Sequence, residues 1–389
     1  MRKGWEYKKL GEVCYPKSKI QRATKCFGAS DEIVYIDISS IDNSVQEVNS
    51  ITSFTMSNAP SRAQQKVEYG DIIVSTVRPN LKNVALIKQH DSNLVASSGF
   101  CVLRPTDDIE RNYLFRYITS DIFTQHIMKL TTGANYPAVR DLDVRDSTIP
   151  LPPQSTQLAI VSELDKINEL IRLKKEQLKD FDNLAQSLFY EMFGDPVENE
   201  KGWEVKKLGE IAKSAIGLTY KPENVTKELS GTIVLRSSNI QNSILDFNNI
   251  VRVNVPVKED KMVNDGDILM CSRNGSFRLV GKVALIKNLK KRMSYGAFMT
   301  IIRSQYNPYL FEYFKTPAFR QYLITGKTTT VNQITVKMLN NLTLPLPPLS
   351  HQHLFSQRIE QIEREKSEVQ KSIQDLETLL ASRMQYWFE

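Results

Sequence analysis

The sequence predicts an α+β fold written twice: two similar globular lobes of mixed strand and helix, separated by two long helices that form an antiparallel coiled coil. Three observations predict it. An internal repeat covers nearly all of the 389 residues, short β-branched runs recur within each copy, and an apolar heptad closes each copy.

The repeat consists of paired motifs in the same order. Gly4-Trp5-Glu6-Tyr7-Lys8-Lys9-Leu10-Gly11-Glu12 returns as Gly202-Trp203-Glu204-Val205-Lys206-Lys207-Leu208-Gly209-Glu210. Gly70-Asp71-Ile72-Ile73 returns as Gly266-Asp267-Ile268-Leu269, and Val84-Ala85-Leu86-Ile87-Lys88 as Val283-Ala284-Leu285-Ile286-Lys287. Tyr113-Leu114-Phe115 matches Tyr309-Leu310-Phe311, and Pro150-Leu151-Pro152-Pro153 matches Pro345-Leu346-Pro347-Pro348. The order is lobe (1–153), helix (154–193), lobe (194–348), helix (349–389).

Within the first lobe, β-branched runs at 33–38, 72–75, 84–88 and 100–104 are bounded by Gly, Asn, Asp or Ser and read as strands. Residues 112–129 have helical spacing with aromatic faces. The second lobe repeats this with strands at 232–235, 268–271, 283–287 and 297–303 and a helix near 308–324, interrupted around Pro317. Each lobe ends in Pro-Leu-Pro-Pro, which reads as a stiff extended joint unable to continue a strand ladder. Ser155 and Ser350 follow as expected N-caps, and Gly194 with Pro196 stops the first helix.

The helices carry matching seams. Ile160, Leu164, Ile167, Ile171, Leu178 and Phe181 fall at alternating steps of four and three once Lys174 is counted, and Phe355, Ile359, Ile362, Val369, Ile373 and Leu376 repeat the ladder with Lys366 included. Each seam thus has one lysine, displaced by one position between the two. A seam charge specifies register and partner; the other reading is that the lysines snorkel out of a tolerant seam. A 39-residue rod is about 58 Å long. An antiparallel pair would hold the lobes at its opposite ends, whereas a parallel pair would crowd them, and the pseudo-twofold repeat is better served by the former.

The net charge of +7 is unevenly spread: +2 over 1–153, −2 over 154–193, +9 over 194–348 and −2 over 349–389. A polyanion would therefore meet the lobes and not the rods. No apolar run approaches a membrane span and no signal-peptide core follows the basic start, so a cytoplasmic protein without membrane attachment is expected. The four cysteines are scattered, with no C-x-x-C pair, and read as free thiols.

Scaffold motifs match between copies while two loops differ. Residues 76–83 stand against 272–282, and 131–140 against 325–333; all four concentrate Arg, Lys, Asn, Gln, Thr and Tyr, side chains that reach base edges and phosphates. The candidates for contact with double-stranded DNA are Arg78, Asn80, Lys82, Asn83, Asn135, Tyr136 and Arg140 in the first lobe, and Arg273, Asn274, Arg278, Lys327, Thr328, Asn332 and Gln333 in the second. Taken singly, each of these polar residues also reads as an ordinary solvated loop residue.

Catalytic motifs fail. Asn307-Pro308-Tyr309 approaches the Asn-Pro-Pro-Tyr/Phe motif of amino-methyltransferases but lacks the second Pro and any glycine-rich cofactor loop. Gly326-Lys327-Thr328 has Gln321 where a phosphate-binding loop needs its first Gly. His351-x-His353 lacks a third ligand. No nucleophile, base and orienting group can be assembled from four scattered histidines, so no catalytic or metal-binding residue is expected.

The order of these motifs, twice over, resembles the DNA-specificity subunits of type I restriction-modification systems. The shared elements are the Gly-Trp-Glu-x-Lys-Lys-Leu-Gly-Glu segments, Gly-Asp-Ile-Ile/Leu, Pro-Leu-Pro-Pro before each rod, and Met192-Phe193-Gly194-Asp195-Pro196 closing the first. One departure is Ser155-Thr156-Gln157 and Ser350-His351-Gln352, where the family often has an acidic-Gln pair. The resemblance implies that each lobe is a target recognition domain for one half of a split, asymmetric DNA site, with the helices setting the spacer. It implies two methyltransferase subunits and a restriction/translocase subunit as partners. S-adenosylmethionine, ATP and Mg would be used by those partners, with no cofactor in this chain. The alternative is a coiled-coil adaptor that joins two protein partners without touching DNA.

Overall fold

A computed structural model describes residues 4–133, 136–325 and 332–389. The chain divides into two compact units, one of residues 1–175 with 371–389 and the other of 176–370.

The first unit is built around a four-stranded sheet in the order Thr52–Thr55, Glu32–Ile36, Leu94–Ser97, Ala63–Lys66, in which only the central pair is parallel. A three-stranded antiparallel sheet, Phe100–Leu103, Ile72–Ser75, Val84–Leu86, follows. The second unit has the same plan. Its four-stranded sheet runs Val225–Thr226, Val251–Val253, Thr232–Leu235, Met293–Tyr295, with the last two parallel. Its other sheet runs Lys213–Ile216, Met299–Arg303, Ile268–Cys271, Val283–Leu285. Both units are α+β.

Each repeated motif has a structural task. Glu6–Lys9 is a strand and Leu10–Val13 a helical turn whose Glu12 carboxylate accepts from the Lys9 amide at 2.8 Å. Glu204–Lys207, Leu208–Ile211 and Glu210 repeat this. Leu10 and Leu208 are fully buried. In Gly-Asp-Ile the glycines adopt φ of +92° and +86°, where a side chain is strained, and each aspartate turns inward. Asp71, 1% exposed, pairs with Arg104 through two bonds of 2.8 Å, and Asp267 holds Arg303 at 3.0 Å. Asp71 in turn holds the Arg104 guanidinium above its ordinary pKa, mainly by that hydrogen bonding.

The Pro-rich joints depart from expectation. Thr148–Leu151 is a strand paired with Glu6–Lys9, and Thr343–Leu346 pairs with Glu204–Lys207. Proline fits because Pro150 and Pro345 lie in two-stranded ribbons, where a residue lacking N–H is tolerated on the side facing away from the partner. Their carbonyls accept from the buried hydroxyls of Tyr113 and Tyr309 at 2.7 and 2.6 Å.

The long helices span Gln154–Phe193 and Leu349–Phe388. Ser155 and Ser350 therefore sit inside the first turn and not at its cap. The Pro153 carbonyl receives the amides of Thr156 and Gln157, and the Pro348 carbonyl those of His351 and Gln352. Gln157 and Gln352, 1% and 3% exposed, donate back to the Pro152 and Pro347 carbonyls at 2.9 and 2.7 Å and lock strand to helix. Gly194, at φ +75°, ends the first helix.

In each unit two helical segments pack antiparallel. In the first, Lys175 meets Glu377 at 2.9 Å, while Glu163 accepts from Trp387 Nε1 at 3.0 Å and pairs with Arg383. In the second, Lys366 Nζ lies 2.7 Å from Asp182. Burial opposes the Lys366 charge, yet Asp182 and Glu363 outweigh it and raise its pKa above 10.5. Ile160, Leu164, Ile167, Ile171 and Ile373 are buried in the first unit, with Leu376 half-buried; Phe355, Ile362 and Val369 are buried in the second, with Leu178, Phe181 and Ile359 half-buried.

The lobe cores incorporate these helices. Tyr113 and Tyr117 pack on Phe388 at 5.4 and 5.6 Å, and Trp5 stacks on Trp387 at 6.3 Å. In the second unit Phe189 and Phe193 lie 5.6 and 5.0 Å from Tyr309, with Phe355 closing the cluster. The helix expected at 112–129 is two, Arg111–Thr119 and Asp121–Lys129, because Ser120 caps the second and accepts from the Phe123 amide at 3.2 Å. Its counterpart breaks between Asn307–Tyr313 and Pro317–Thr325. The first-lobe strand expected through Ile38 stops at Ile36, where Asp37 caps a 3-10 turn over Ile38–Ser40.

Candidate nucleic-acid interface

In the first lobe the turn after Ile72–Ser75 is clamped to the segment after residue 135 by backbone hydrogen bonds. The Arg78 amide donates to the Pro137 carbonyl at 2.7 Å and the Val139 amide to the Thr76 carbonyl at 2.9 Å, leaving Val77 bridged to Ala138. The Thr76 amide reaches the Gly99 carbonyl at 2.9 Å, and the Ser75 amide the Asn83 carbonyl at 2.9 Å. Two loops far apart in sequence thus form one surface.

The second lobe makes the same clamp. The Asn274 amide donates to Asn332 at 3.3 Å, Ile334 to Ser272 at 2.7 Å, Ser272 to Phe298 at 2.9 Å and Cys271 to Lys282 at 2.8 Å, with Arg273 bridged to Gln333. Matching bond for bond equates Val77 with Arg273, Arg78 with Asn274, Pro137 with Asn332, Ala138 with Gln333, Gly99 with Phe298 and Asn83 with Lys282. The backbone frame is common and its side chains differ at each of these positions.

The candidates divide by what already holds them. Arg78 is exposed and lies over the Tyr136 ring, 4.4 Å from its centroid. Arg273 is exposed and lies 5.3 Å from the centroid of Phe298. Asn80 and Arg278 are exposed and Gln333 is half-buried. Four others are engaged within their own lobe. Lys82 pairs with Asp121 at 2.7 Å and Arg140 with Asp143 at 2.6 Å, which holds the Asp143 carboxyl below its ordinary pKa. Asn274 donates to Ser237 Oγ at 3.2 Å and Asn332 to the Gly275 carbonyl at 2.9 Å. Asn83 is buried. Asn135, Lys327 and Thr328 lie outside the described residues.

A further segment adjoins each clamp that loop composition did not reveal. Asp37, Ser39, Asn43, Asn49 and Arg62 line, with Asn83, a polar cleft of about 700 Å³ in the first lobe. Asn43 Nδ2 donates to the Leu81 carbonyl at 3.0 Å. In the second lobe Arg236 begins the equivalent 3-10 turn, Ser237–Asn239, and Gln241 accepts from Lys282 at 3.4 Å. Asp37 N binds Ser40 Oγ at 3.1 Å and Arg236 N binds Asn239 Oδ1 at 2.9 Å, so the frame is again shared while the side chain changes from acid to base. The signal was present in sequence as Ile38-Ser39-Ser40-Ile41 beside Ser237-Ser238-Asn239-Ile240, a short match with unlike flanks.

The motifs set aside as non-catalytic have local partners. Asn307 donates to the Gly266 and Ile302 carbonyls at 2.6 and 3.0 Å, and His351 packs against Trp203 with centroids 5.3 Å apart. Among the described residues no group of three or more His, Cys, Asp or Glu is placed to hold a metal ion, and no helix is long and apolar enough to cross a membrane.

Known proteins match this architecture. The family model for the type I restriction modification DNA specificity domain matches residues 2–180 and again 200–378. The specificity subunit of the type I restriction enzyme EcoKI of Escherichia coli is 23% identical over 335 residues, 80% of this chain and 72% of that one. The MjaIX specificity subunit of Methanocaldococcus jannaschii is 28% identical over 160 residues, 37% of this chain; that match spans 36% of the relative, little more than a third of its length. A chain in a solved structure concerned with complex assembly and conformational transition of the type I R-M system is 28% identical, with a TM-score of 0.68, and the match covers 100% of this chain and 98% of that one. Two copies of the specificity domain account for most of the sequence, and the chain belongs to the type I restriction-modification DNA specificity family.

Proposed function

We propose that each lobe reads one half of a split, asymmetric DNA sequence through the clamped loop surface, and that the long helices fix the unread spacer. The observation that carries this is the bond-for-bond match of the two clamps with unlike side chains on them. Selection for folding alone would keep the frame, whereas reading two different half-sites also needs its exposed positions to diverge. The basic excess of the lobes, +2 and +9 against −2 for each helix, supports a polyanionic ligand on the same surfaces.

The chain would act as a non-catalytic address reader and assembly subunit in the cytoplasm. Its partners would be two methyltransferase subunits, which carry S-adenosylmethionine and modify adenine, and a restriction/translocase subunit that uses ATP and Mg. The type I system named for the structural relative supports assembly with other subunits.

The test is to co-express the chain with a methyltransferase subunit and map methylated adenines across genomic DNA. A split motif with unlike halves and a constant gap supports the reading. Absence of any new motif, together with no salt-dependent binding of duplex DNA by the complex, contradicts it, because phosphate contacts make affinity fall steeply with salt.

A further inference from the structure

Among the exposed cations of the two clamps, Arg78 and Arg273 share a peculiarity. Each guanidinium lies over a ring that is itself largely solvent-exposed, Tyr136 at 68% and Phe298 at 59%. Among the described residues, neither guanidinium takes part in a hydrogen bond or an ion pair. Arg140, by contrast, is tied to Asp143, Lys82 to Asp121 and Arg236 to Asn249.

The two pairs are not copies of each other. Arg78 occupies the frame position of Asn274, and Arg273 that of Val77. Tyr136 comes from the loop ahead of the Pro-rich strand, whereas Phe298 comes from the turn that holds Gly99 in the first lobe. Inheritance of one ancestral pair does not explain the arrangement, since residues at different frame positions and rings from different loops form it in the two lobes. A guanidinium lying over a ring gives up part of its freedom before it meets DNA, which favours the bidentate contact with guanine O6 and N7 that arginine can make. An exposed ring beside it is otherwise an unfavourable surface feature with no core to join.

We infer that each lobe reads one guanine with an arginine packed over an exposed ring, Arg78 over Tyr136 in the first lobe and Arg273 over Phe298 in the second. The rings are positioning residues: they touch the arginine and set how sharply guanine is preferred. This rests on the half-site reading proposed above.

The experiment uses the complete methyltransferase complex and plasmid libraries in which one half-site at a time is randomised, scored by adenine methylation of each sequence. Arg273→Ala is expected to remove the preference for guanine at one position of one half-site, a loss of about 5- to 150-fold in discrimination, with the other half unaltered. Arg78→Ala does the reciprocal. Phe298→Ala weakens preference at the same position as Arg273→Ala by about 2- to 5-fold, and Phe298→Tyr restores it. Tyr136→Ala and Tyr136→Phe behave likewise in the other half. If an alanine variant yields no methylation, the conservative ring variants and Arg273→Lys still report base preference. The inference is overturned if the arginine variants leave every guanine preference intact, or if Phe298→Ala lowers methylation of all sequences equally. Absence of a split motif in the wild-type library instead overturns the half-site reading itself.

Discussion

The hydroxyl of Tyr113 donates to the carbonyl of Pro150 at 2.7 Å, in the ribbon that joins the first lobe to its long helix. Tyr309 and Pro345 repeat it at 2.6 Å, and burial pushes the Tyr309 hydroxyl up in pKa, which keeps it a donor. A proline carbonyl turned away from its partner strand has no ladder bond to make, so the tyrosine satisfies it.

Tyr113→Phe leaves that buried carbonyl unpaired and is expected to destabilise the first unit by about 1–3 kcal/mol. Tyr309→Phe should cost the second unit a similar amount. Chemical denaturation followed by unit-specific fluorescence, from Trp387 in one unit and Trp203 in the other, checks both; equal loss in both units from either single change would show that the bond acts other than locally.

Asp71→Asn removes a buried carboxylate from Arg104, whose side chain is 21% exposed and keeps Glu68 at 3.1 Å. Because Arg104 keeps solvent and Glu68, the cost is that of the lost charge-assisted hydrogen bonds, about 1.5–3 kcal/mol, still more than for an exposed pair. The denaturation midpoint of the first unit should fall accordingly. Arg140→Ala, which breaks a pair whose arginine side chain is 78% exposed, should change stability by under about 1 kcal/mol.

Glu163 carries a pH dependence. The hydrogen bond from Arg383 holds its carboxyl below 4.5, assisted by Trp387 and opposed by partial burial. A carboxyl depressed in the folded state contributes stability that is present above its unfolded pKa and is lost as pH falls through the folded one. Wild-type stability should therefore decline below about pH 4.5, and Glu163→Gln should lower stability at neutral pH while flattening that acid limb. Thermal melts between pH 3 and 7 test this; parallel curves for the two proteins would contradict it.

The scaffold was legible because its causes are local. Gly70 and Gly266 needed positive φ, and Leu10 and Leu208 were apolar residues inside repeated motifs. The Ser120 break was hidden because apolar spacing continues across it and only the cap interrupts the backbone. The Pro-rich strand was hidden because proline argues against a ladder unless the pairing partner is known. The candidate surface was legible only as composition. Loops at 76–83 and 131–140 meet through tertiary pairing, which is also why Phe298, an apolar residue in a strand turn, gave no sign of lying beneath Arg273. Asp37 was concealed because it falls within the strand expected at 33–38, and Arg236 because it follows the strand at 232–235 with no loop motif to mark it.

Reading of two unlike half-sites requires one backbone frame to carry two independent readers. Gln333 sits at the frame position of Ala138, bridged to Arg273 in the second lobe. Genome-wide adenine methylation mapped for the complex carrying Gln333→Ala, against wild type, measures that independence. One half of the split motif is predicted to become degenerate or altered at a base position while the other half and the gap stay unchanged. A motif altered in both halves together, or a changed gap, would contradict it.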